Sequence, residues 1–433
     1  MNNDKITIFW FRRDLRLHDN PALFYALQKG NVLPIFIFDT CILSQLPDNS
    51  DARVTYIFNQ LQVIDSQLSE YNSAIKIYFG NPEDVYKKIL EEYNVESVFF
   101  NEDYEPYGMK RDQHIENIVR SKGIACLKFQ DHILCHPSEI KKSDETPYTV
   151  YTPFSKKWKE VYFSKQINLY ASESLLSHCT KNTRSEITLS DIGFVKNQTR
   201  IPILNLSDDL LTSYKNTRDF PYLDATTHLG TTLRFGVVSI RETTKQIISK
   251  SETLLNELIW REFFIHILYH YPKVVNHSFK SKYDAIPWRN NEDEFEKWKN
   301  GETGYPIVDA GMRELNRTGF MHNRVRMITA SFLCKHLLID WRWGEAYFAT
   351  KLLDFELASN NGNWQWASGS GCDAVPYFRI FNPDLQTQKF DPEFIYIRKW
   401  VPELEELSYP TPIVEHSFAR NRAIETYKNA LNK

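Results

Sequence analysis

Residues 6–38 of the chain are ITIFWFRRDLRLHDNPALFYALQKGNVLPIFIF. Two short apolar runs, Ile6–Phe11 and Val32–Phe38, enclose the helix-like segment Ala22–Lys29, and Gly30 follows where a helix commonly ends. Short runs rich in β-branched and aromatic residues are typical of strands that are buried on both faces of a sheet. A strand, a helix and a second strand in this order predict a βαβ unit with two parallel strands.

The same alternation continues to about residue 130. Three further strand-like runs are Ile75–Phe79, Ser97–Phe100 and Ala125–Phe129, and helix-like segments separate them. The pattern predicts a doubly wound α/β domain with a parallel sheet over residues 1–130.

The pattern changes after the predicted sheet. Residues 131–206 lack strong periodicity and predict a long, partly helical connection between domains. From residue 207 to 433 the strand pattern disappears, so we expect an all-α domain there. The segments that we expect to be helical are Ile240–Lys250, Leu254–Tyr271, Glu294–Asn300, Pro306–Thr318, Asn323–Asp340 and Gly344–Leu353.

Composition excludes several classes of protein. With 42% hydrophobic and 25% charged residues in 433, the chain has an ordinary globular composition and is not disordered. The formal net charge is −3, so nucleic-acid binding would have to depend on a local patch. The six cysteines lack C-x-x-C spacing, which favours reduced thiols and no metal site. Without a secretory signal or an apolar run of roughly 18 residues, we expect a cytoplasmic protein, in a bacterial cytosol or nucleoid, with no membrane contact.

Aromatic residues are unevenly placed. Eight of the ten tryptophans lie between residues 260 and 400, beside amide-rich sequence such as Asn360–Trp366. Any one of them is explained as ordinary core, but the cluster suggests a large aromatic ligand or stacked bases.

Helical periodicity groups polar residues on two predicted helices. Glu257, Trp260 and Arg261 share one face, which indicates a polar site or, equally, a Glu–Arg pair beside a core tryptophan. Asn323 and Arg326 share a face with a following methionine, and a solvated helix end would explain that pattern nearly as well.

Six motifs resemble the photolyase/cryptochrome family, in order and over essentially the whole chain, and most resemble its class I cyclobutane pyrimidine dimer photolyases. They are Phe9–Pro21 (FWFRRDLRLHDNP), Leu258–Phe263 (LIWREF), Gly304–Asp309 (GYPIVD), Met321–Met327 (MHNRVRM), Asn361–Trp366 (NGNWQW) and Pro376–Pro383 (PYFRIFNP). The resemblance implies an α/β antenna domain, a long linker and an all-helical domain that binds one FAD in a U-shaped conformation.

The resemblance also implies which residues contact the flavin. They are Tyr214, Thr226, Thr227, His228, Leu229, Gly230, Glu257, Arg261, Asn323, Arg326, Asp354, Glu356 and Asn360. Residues 226–230 would form a turn at the phosphates, and Arg326 with Asp354 would form an ion pair over the ring. Gly230 replaces the family's usual serine and Glu356 its usual aspartate, which changes the local contacts to FAD.

The implied mechanism is light-driven repair of DNA. Photoexcited, fully reduced flavin donates an electron to a flipped-out cyclobutane dimer, the ring splits, and the electron returns. Trp260 and Trp366 would wall the lesion pocket, and Glu257 would stabilise the dimer radical anion, with Asn323 and Met327 alongside. Two further groups follow from the resemblance: Arg218, Arg324 and Arg379 at DNA phosphates, and Trp364, Trp341 and Trp288 as an electron-transfer chain.

A signalling cryptochrome and a (6-4) photolyase are the alternatives. Plant cryptochromes carry Asp and insect ones Cys where this chain has Asn360, and only 33 residues follow Trp400, too few for a long signalling tail. The (6-4) branch carries His where Asn323 stands. These residues favour repair of cyclobutane dimers by a monomer that binds UV-damaged DNA.

An antenna chromophore is the remaining expectation. The segment Asn101–Gly108, which includes Asp103 and Glu105, together with Arg53 resembles the deazaflavin-binding kind more than the folate kind. Family members hold folate, deazaflavin or flavin in this cleft, and some hold none.

Overall fold

The computed structural model describes residues 4–432, which form two compact units. The sheet unit contains residues 4–140, 158–203 and 228–249, and the helical unit contains residues 141–157, 204–227 and 250–432. The ranges 1–130, 131–206 and 207–433 that the sequence suggests for the domains and their connection stay a prediction.

The sheet unit is built on five parallel strands. In chain order they are β1 (Ile6–Phe11), β2 (Val32–Asp39), β3 (Lys76–Gly80), β4 (Val95–Asn101) and β5 (Ala125–Phe129). Their order in the sheet is β3-β2-β1-β4-β5, so β1 lies at the centre and the chain winds outward in both directions. This arrangement confirms the predicted doubly wound α/β fold.

The side chains of β1 explain why its sequence is continuously apolar. Phe9 and Phe11 belong to one buried hydrophobic cluster, whereas Ile8 and Trp10 belong to another. Since successive side chains of a strand point to opposite faces, both faces of the sheet are covered.

Eighteen α-helices occur among the described residues. They are α1 (Pro21–Lys29), α2 (Thr40–Leu43), α3 (Ala52–Ser69), α4 (Pro82–Glu92), α5 (Pro106–Ser121), α6 (Tyr151–Ser164), α7 (Asp208–Thr217), α8 (Leu229–Arg234), α9 (Ile240–Ile247), α10 (Glu252–His270), α11 (Glu292–Asn300), α12 (Pro306–Thr318), α13 (Asn323–Ser331), α14 (Trp341–Lys351), α15 (Leu357–Ser368), α16 (Pro383–Phe390), α17 (Ile395–Trp400) and α18 (His416–Leu431). None of the helices in residues 4–432 combines the length and the apolar sequence needed to cross a bilayer.

The helical unit confirms the predicted all-α domain, with one correction. The sequence predicts a single helix over Asn323–Asp340, but α13 ends at Ser331 and a π-helical turn, Phe332–His336, follows. The chain then turns at Leu338, whose φ is +50°. The apolar run that suggested one long helix therefore supplies core side chains to two elements and the turn between them.

Candidate functional site

Helix α10 presents the polar face that its periodicity predicts. Each residue of that face contacts a residue on another element. Glu257 accepts a hydrogen bond from Arg218, which lies just after α7. Arg261 donates to Glu356 at 2.9 Å. Trp260 stacks on Tyr151, with ring centroids 3.7 Å apart and planes 4° from parallel. The face is therefore a half-buried array of charges beside an indole.

Helix α15 packs closely on α10 because Gly362 lies against Phe264. A Cβ at position 362 would overlap the ring carbons of Phe264. The same helix carries Asn360, Trp364 and Trp366, so one close contact positions three of the predicted site residues.

Helix α13 contributes the residues on its first turn and a half. Arg326 donates through Nε to the carbonyl oxygen of Met321 at 2.7 Å and through a terminal nitrogen to Asp354 at 3.0 Å. The ion pair expected from the resemblance is thus present. Asn323 and Met327 lie one helical turn apart on the same face, with the Asn323 Nδ2 atom 4.0 Å from the Met327 sulfur.

Helices α13 and α15, with Phe348 on α14 and the connection from α14 to α15, line one cleft of about 600 Å³, counting the space open to solvent. The polar face of α10 does not line it. The predicted site residues that line it are Asn323, Arg326, Met327, Asp354, Glu356, Asn360, Trp364 and Trp366.

The cleft offers hydrogen-bonding groups that suit a flavin ring. Asp354 Oδ1 is buried and has no hydrogen-bond partner among the described residues, although Oδ2 holds Arg326. A buried carboxylate oxygen without a donor is costly, and the N–H groups of a flavin are donors of the required kind. The residues present therefore fit FAD.

Burial shifts the pKa of three ionisable groups around the cleft. It raises the pKa of the Glu345 carboxyl, although the hydrogen bond from Asn360 opposes the shift. It lowers the pKa of His322, the N-cap of α13, to about 4, and the charge of Arg326 adds to the effect. It raises the pKa of Tyr214 to about 12. His322 and Tyr214 are consequently neutral at pH 7.

The predicted contacts to the FAD phosphates, residues 226–230, fall where one unit ends and the other begins, so the structure does not test them. Thr227 ends one stretch of the helical unit and His228 begins one of the sheet unit, so the turn 226–230 crosses between the units. Within that turn the Thr227 carbonyl accepts a hydrogen bond from Asn205 N at 3.0 Å, and His228 has φ +51°. The roles of Thr226, Leu229 and Gly230 at the phosphates stay a prediction.

The three predicted electron-transfer tryptophans share one hydrophobic region. Trp364 and Trp341 are buried in the same cluster, and Trp288 packs against it, half-buried. Trp364 also meets the ring of Trp298 edge-on, at 6.1 Å between centroids.

The three predicted DNA-binding arginines differ in their surroundings. Arg218 is held by Glu257, and Arg324 donates to Asp219 at 2.7 Å. Arg379 is exposed, in the segment that leads to α16.

In the sheet unit, the predicted antenna carboxylates already have arginine partners. Asp103 lies 3.4 Å from Arg13. Burial by itself would raise the pKa of Asp103, but the positive charges of Arg13 and Arg111 outweigh it, and the pKa is lowered. Glu105 lies 2.9 Å from Arg13. Arg53 donates to Asp51, the N-cap of α3. The antenna role of these residues stays a prediction.

Three site residues were not found from the sequence. Glu345 on α14 accepts hydrogen bonds from Asn360, Asp219 holds Arg324, and Tyr151 covers one face of Trp260. The separations in sequence are 15, 105 and 109 residues, so no helical or strand spacing could have shown these pairs. The aromatic content of residues 148–154 was the one available signal.

The chain matches two family models. Residues 7–170 match the model of DNA photolyase, and residues 254–429 match the model of the FAD binding domain of DNA photolyase. A curated relative, deoxyribodipyrimidine photo-lyase of Agrobacterium fabrum, is 35% identical over 97% of this chain and 97% of its own length.

Two solved structures are also similar to this chain. A bacterial class III photolyase from Agrobacterium tumefaciens superimposes with a TM-score of 0.88 at 33% identity, covering 100% of this chain and 99% of its own. A cryptochrome from Synechocystis superimposes with a TM-score of 0.86 at 27% identity, covering 98% and 100%. The fold is thus common to repair enzymes and cryptochromes. With the cleft, its ion pair and both matched domains in place, the chain belongs to the photolyase/cryptochrome family.

Proposed function

We propose that this protein is a photolyase that repairs cyclobutane pyrimidine dimers in UV-damaged DNA, using FAD and light. One observation carries the proposal: the Arg326–Asp354 ion pair, Asn360 and Trp366 line a single cleft together with Asn323. Relatives named deoxyribodipyrimidine photo-lyase support this substrate class.

The cleft residues would hold FAD by charge and hydrogen bonds. Arg326 would keep positive charge beside a reduced, anionic ring, and Asp354 Oδ1 would accept a hydrogen bond from a ring N–H. The resemblance assigns further contacts to Tyr214, Thr226, Thr227, His228, Leu229, Gly230, Glu257, Arg261, Asn323, Glu356 and Asn360. FAD, when bound and fully reduced, supplies under light one electron that opens the dimer and is then recovered.

Side chains at the mouth of the cleft would bind the lesion. Trp260 is held by Tyr151, which stacks on it, and by Phe264, and its exposed part would pack against a flipped base. Trp366 would form the opposite wall, with Met327 beside it. Through its acid proton, Glu257 would donate a hydrogen bond to a thymine carbonyl and so stabilise the negative charge that the dimer gains.

Contacts to the DNA backbone would come from Arg218, Arg324 and Arg379. With a formal net charge of −3, the protein has no global attraction for DNA. Phosphate contacts would thus be few, and binding should weaken with salt at a shallow slope. We further propose a monomer located in the cytoplasm.

A second chromophore is proposed for the sheet unit. Arg53, Asp103 and Glu105 would lie at its site, and the chromophore would be of the deazaflavin, folate or flavin kind. Mass spectrometry of chromophores released from purified protein would identify it. Release of FAD alone from protein expressed in a host that makes all three would contradict this part of the proposal.

The decisive experiment compares two lesions. Purified protein with reduced FAD, under blue light, should restore thymines in DNA with a cyclobutane dimer and leave a (6-4) lesion unchanged, whereas a dark sample should repair neither. Repair of the (6-4) lesion alone would identify a (6-4) photolyase. Light-driven flavin reduction with no repair of either lesion would favour the cryptochrome alternative.

A further inference from the structure

Arg324, at the start of α13, is held by a carboxylate that belongs to a different element. Its terminal nitrogen donates to Asp219 Oδ1 at 2.7 Å, and the two side chains are 19% and 39% exposed. The guanidinium carbon lies 4.3 Å from the ring centroid of Phe390, which supports its flat face. Arg324 is therefore positioned near solvent, with its hydrogen-bonding edge turned toward Asp219.

A second ion pair lies beside this one, and in it the segment after α7 supplies the arginine and a helix supplies the carboxylate. Arg218 precedes Asp219 in the chain and pairs with Glu257 on α10. Two consecutive residues after α7 thus make ion pairs with two different helices, Arg218 to α10 and Asp219 to α13. The segment carries both an arginine and a carboxylate at one edge of the site.

A carboxylate and a phosphate compete for the same edge of a guanidinium. Both are oxyanions of similar geometry, and both accept paired N–H donors from arginine. A phosphate that contacts Arg324 through this edge must replace Asp219, and the negative charge of Asp219 would then lie close to the phosphate. Both consequences oppose DNA binding.

We propose that Asp219 is an internal competitor for DNA, which holds Arg324 and sets a ceiling on the affinity for phosphate backbones. The inference rests on the proposed function, since it assumes that Arg324 contacts DNA. Asp219 acts on damaged and undamaged DNA alike. It therefore limits how long the protein stays on undamaged DNA, which has no flipped lesion to add binding energy.

The test measures DNA binding by fluorescence anisotropy, with one duplex that contains a thymine dimer and one that does not. Asp219→Asn should tighten binding to both duplexes by about fivefold, the size expected for a partly exposed ion pair. The slope of log affinity against log salt should steepen by about one, since the charge of Asp219 no longer offsets the contact between Arg324 and a phosphate. Asp293→Asn, on α11, is the matched control for loss of one negative charge.

Two further variants isolate the Arg324 pair. In an Arg324→Ala background, Asp219→Asn should change affinity no more than Asp293→Asn does. Asp219→Glu, which keeps the charge, should bind DNA like the wild type. A melting curve of each variant shows whether it is folded. If Asp219→Asn is not folded, Asp219→Ser takes its place in the experiment.

The outcomes separate this inference from the proposed function. If the wild type binds neither duplex, the proposed function is wrong. If the wild type binds but Asp219→Asn matches Asp293→Asn, or if the gain persists in the Arg324→Ala background, the competitor role of Asp219 is wrong.

Discussion

Asn360 donates two hydrogen bonds to Glu345, one to its backbone carbonyl oxygen at 3.0 Å and one to its carboxylate at 2.8 Å. An amide nitrogen has two hydrogens, so both are used. Asn360 lines the cleft, and its carbonyl oxygen is the atom left for a ligand. Glu345 therefore fixes which end of the amide faces the proposed flavin.

Replacing Glu345 should disturb FAD through Asn360. Glu345→Leu removes the carboxylate acceptor and leaves only the backbone carbonyl to hold the amide, so FAD affinity should fall about fivefold, as for one lost hydrogen bond. The absorption bands of the bound flavin should shift as well. Glu345→Gln keeps an acceptor oxygen and should match the wild type. Unchanged spectra and affinity in Glu345→Leu would show that Glu345 does not orient Asn360.

Trp288 should be needed for photoreduction but not for repair. It lies half-buried, edge-on to Tyr427 at 5.8 Å, while the Tyr427 hydroxyl is buried without a partner among the described residues. Oxidised tyrosine must lose its proton, and burial raises the pKa of Tyr427 further, so the electron hole should stay on Trp288. Trp288→Phe should retain FAD, block light-driven reduction by an external thiol, and leave repair by pre-reduced protein near the wild-type rate.

A second tryptophan provides the comparison for this experiment. Trp298→Phe changes a ring that also contacts Trp364. If the chain runs through Trp341 to Trp288, transient absorption should show a normal tryptophanyl radical yield in Trp298→Phe and a strongly reduced one in Trp288→Phe. A normal yield in Trp288→Phe, with only a lower melting temperature, would mean that Trp288 is packing alone.

Glu257→Gln should slow dimer splitting. The amide keeps the shape but loses the acid proton that would stabilise charge on the dimer, so the splitting yield per absorbed photon should drop several-fold. DNA affinity should not fall, because the change also frees Arg218. Flash-induced repair and anisotropy on the same sample measure the two quantities. An unchanged splitting yield would remove Glu257 from the reaction.

Stability should rise with pH because of Lys335. This lysine is fully buried, donates to the Ser368 carbonyl at 2.7 Å, and burial lowers its pKa from 10.5 to about 7. Between those two values the unfolded chain binds more protons than the folded one, so the free energy of unfolding increases with pH. From pH 7.5 to 9.5 we expect a gain of about 2.5 kcal/mol from this group.

Urea denaturation at the two pH values tests the Lys335 prediction. Lys335→Met should lose most of the gain, whereas Lys389→Met, at an exposed position on α16, should retain it. Equal pH dependence in the wild type and Lys335→Met would show that another group titrates in this range.

The sequence predicted the sheet well because buried parallel strands have a simple pattern. Each predicted strand lies within two residues of an observed one, since apolar runs such as Val32–Phe38 can be placed only between two covered faces. The polar face of α10 was likewise visible, because residues three and four apart lie together on a helix.

Elements with poor local signals were not predicted. Helix α15 contains Asn360, Asn361 and Gly362, all weak helix formers, and tertiary contacts stabilise it instead. One such contact is the pair of hydrogen bonds that Asn361 and Gln365 donate to the carbonyl oxygen of Val274, each at 2.9 Å. Partners separated by many residues, such as Arg324 and Asp219, depend on the fold and have no sequence spacing that could show them.

The close contact of Gly362 with Phe264 limits how this cleft can change. The backbone of α15 rests directly on α10, so any larger residue at position 362 would force the two helices apart. Asn360, Trp364 and Trp366, which line the cleft from α15, would move together with its backbone. A variant with a larger cleft must therefore shorten the side chains that line it, because the position of the α15 backbone is set by its direct contact with the Phe264 ring.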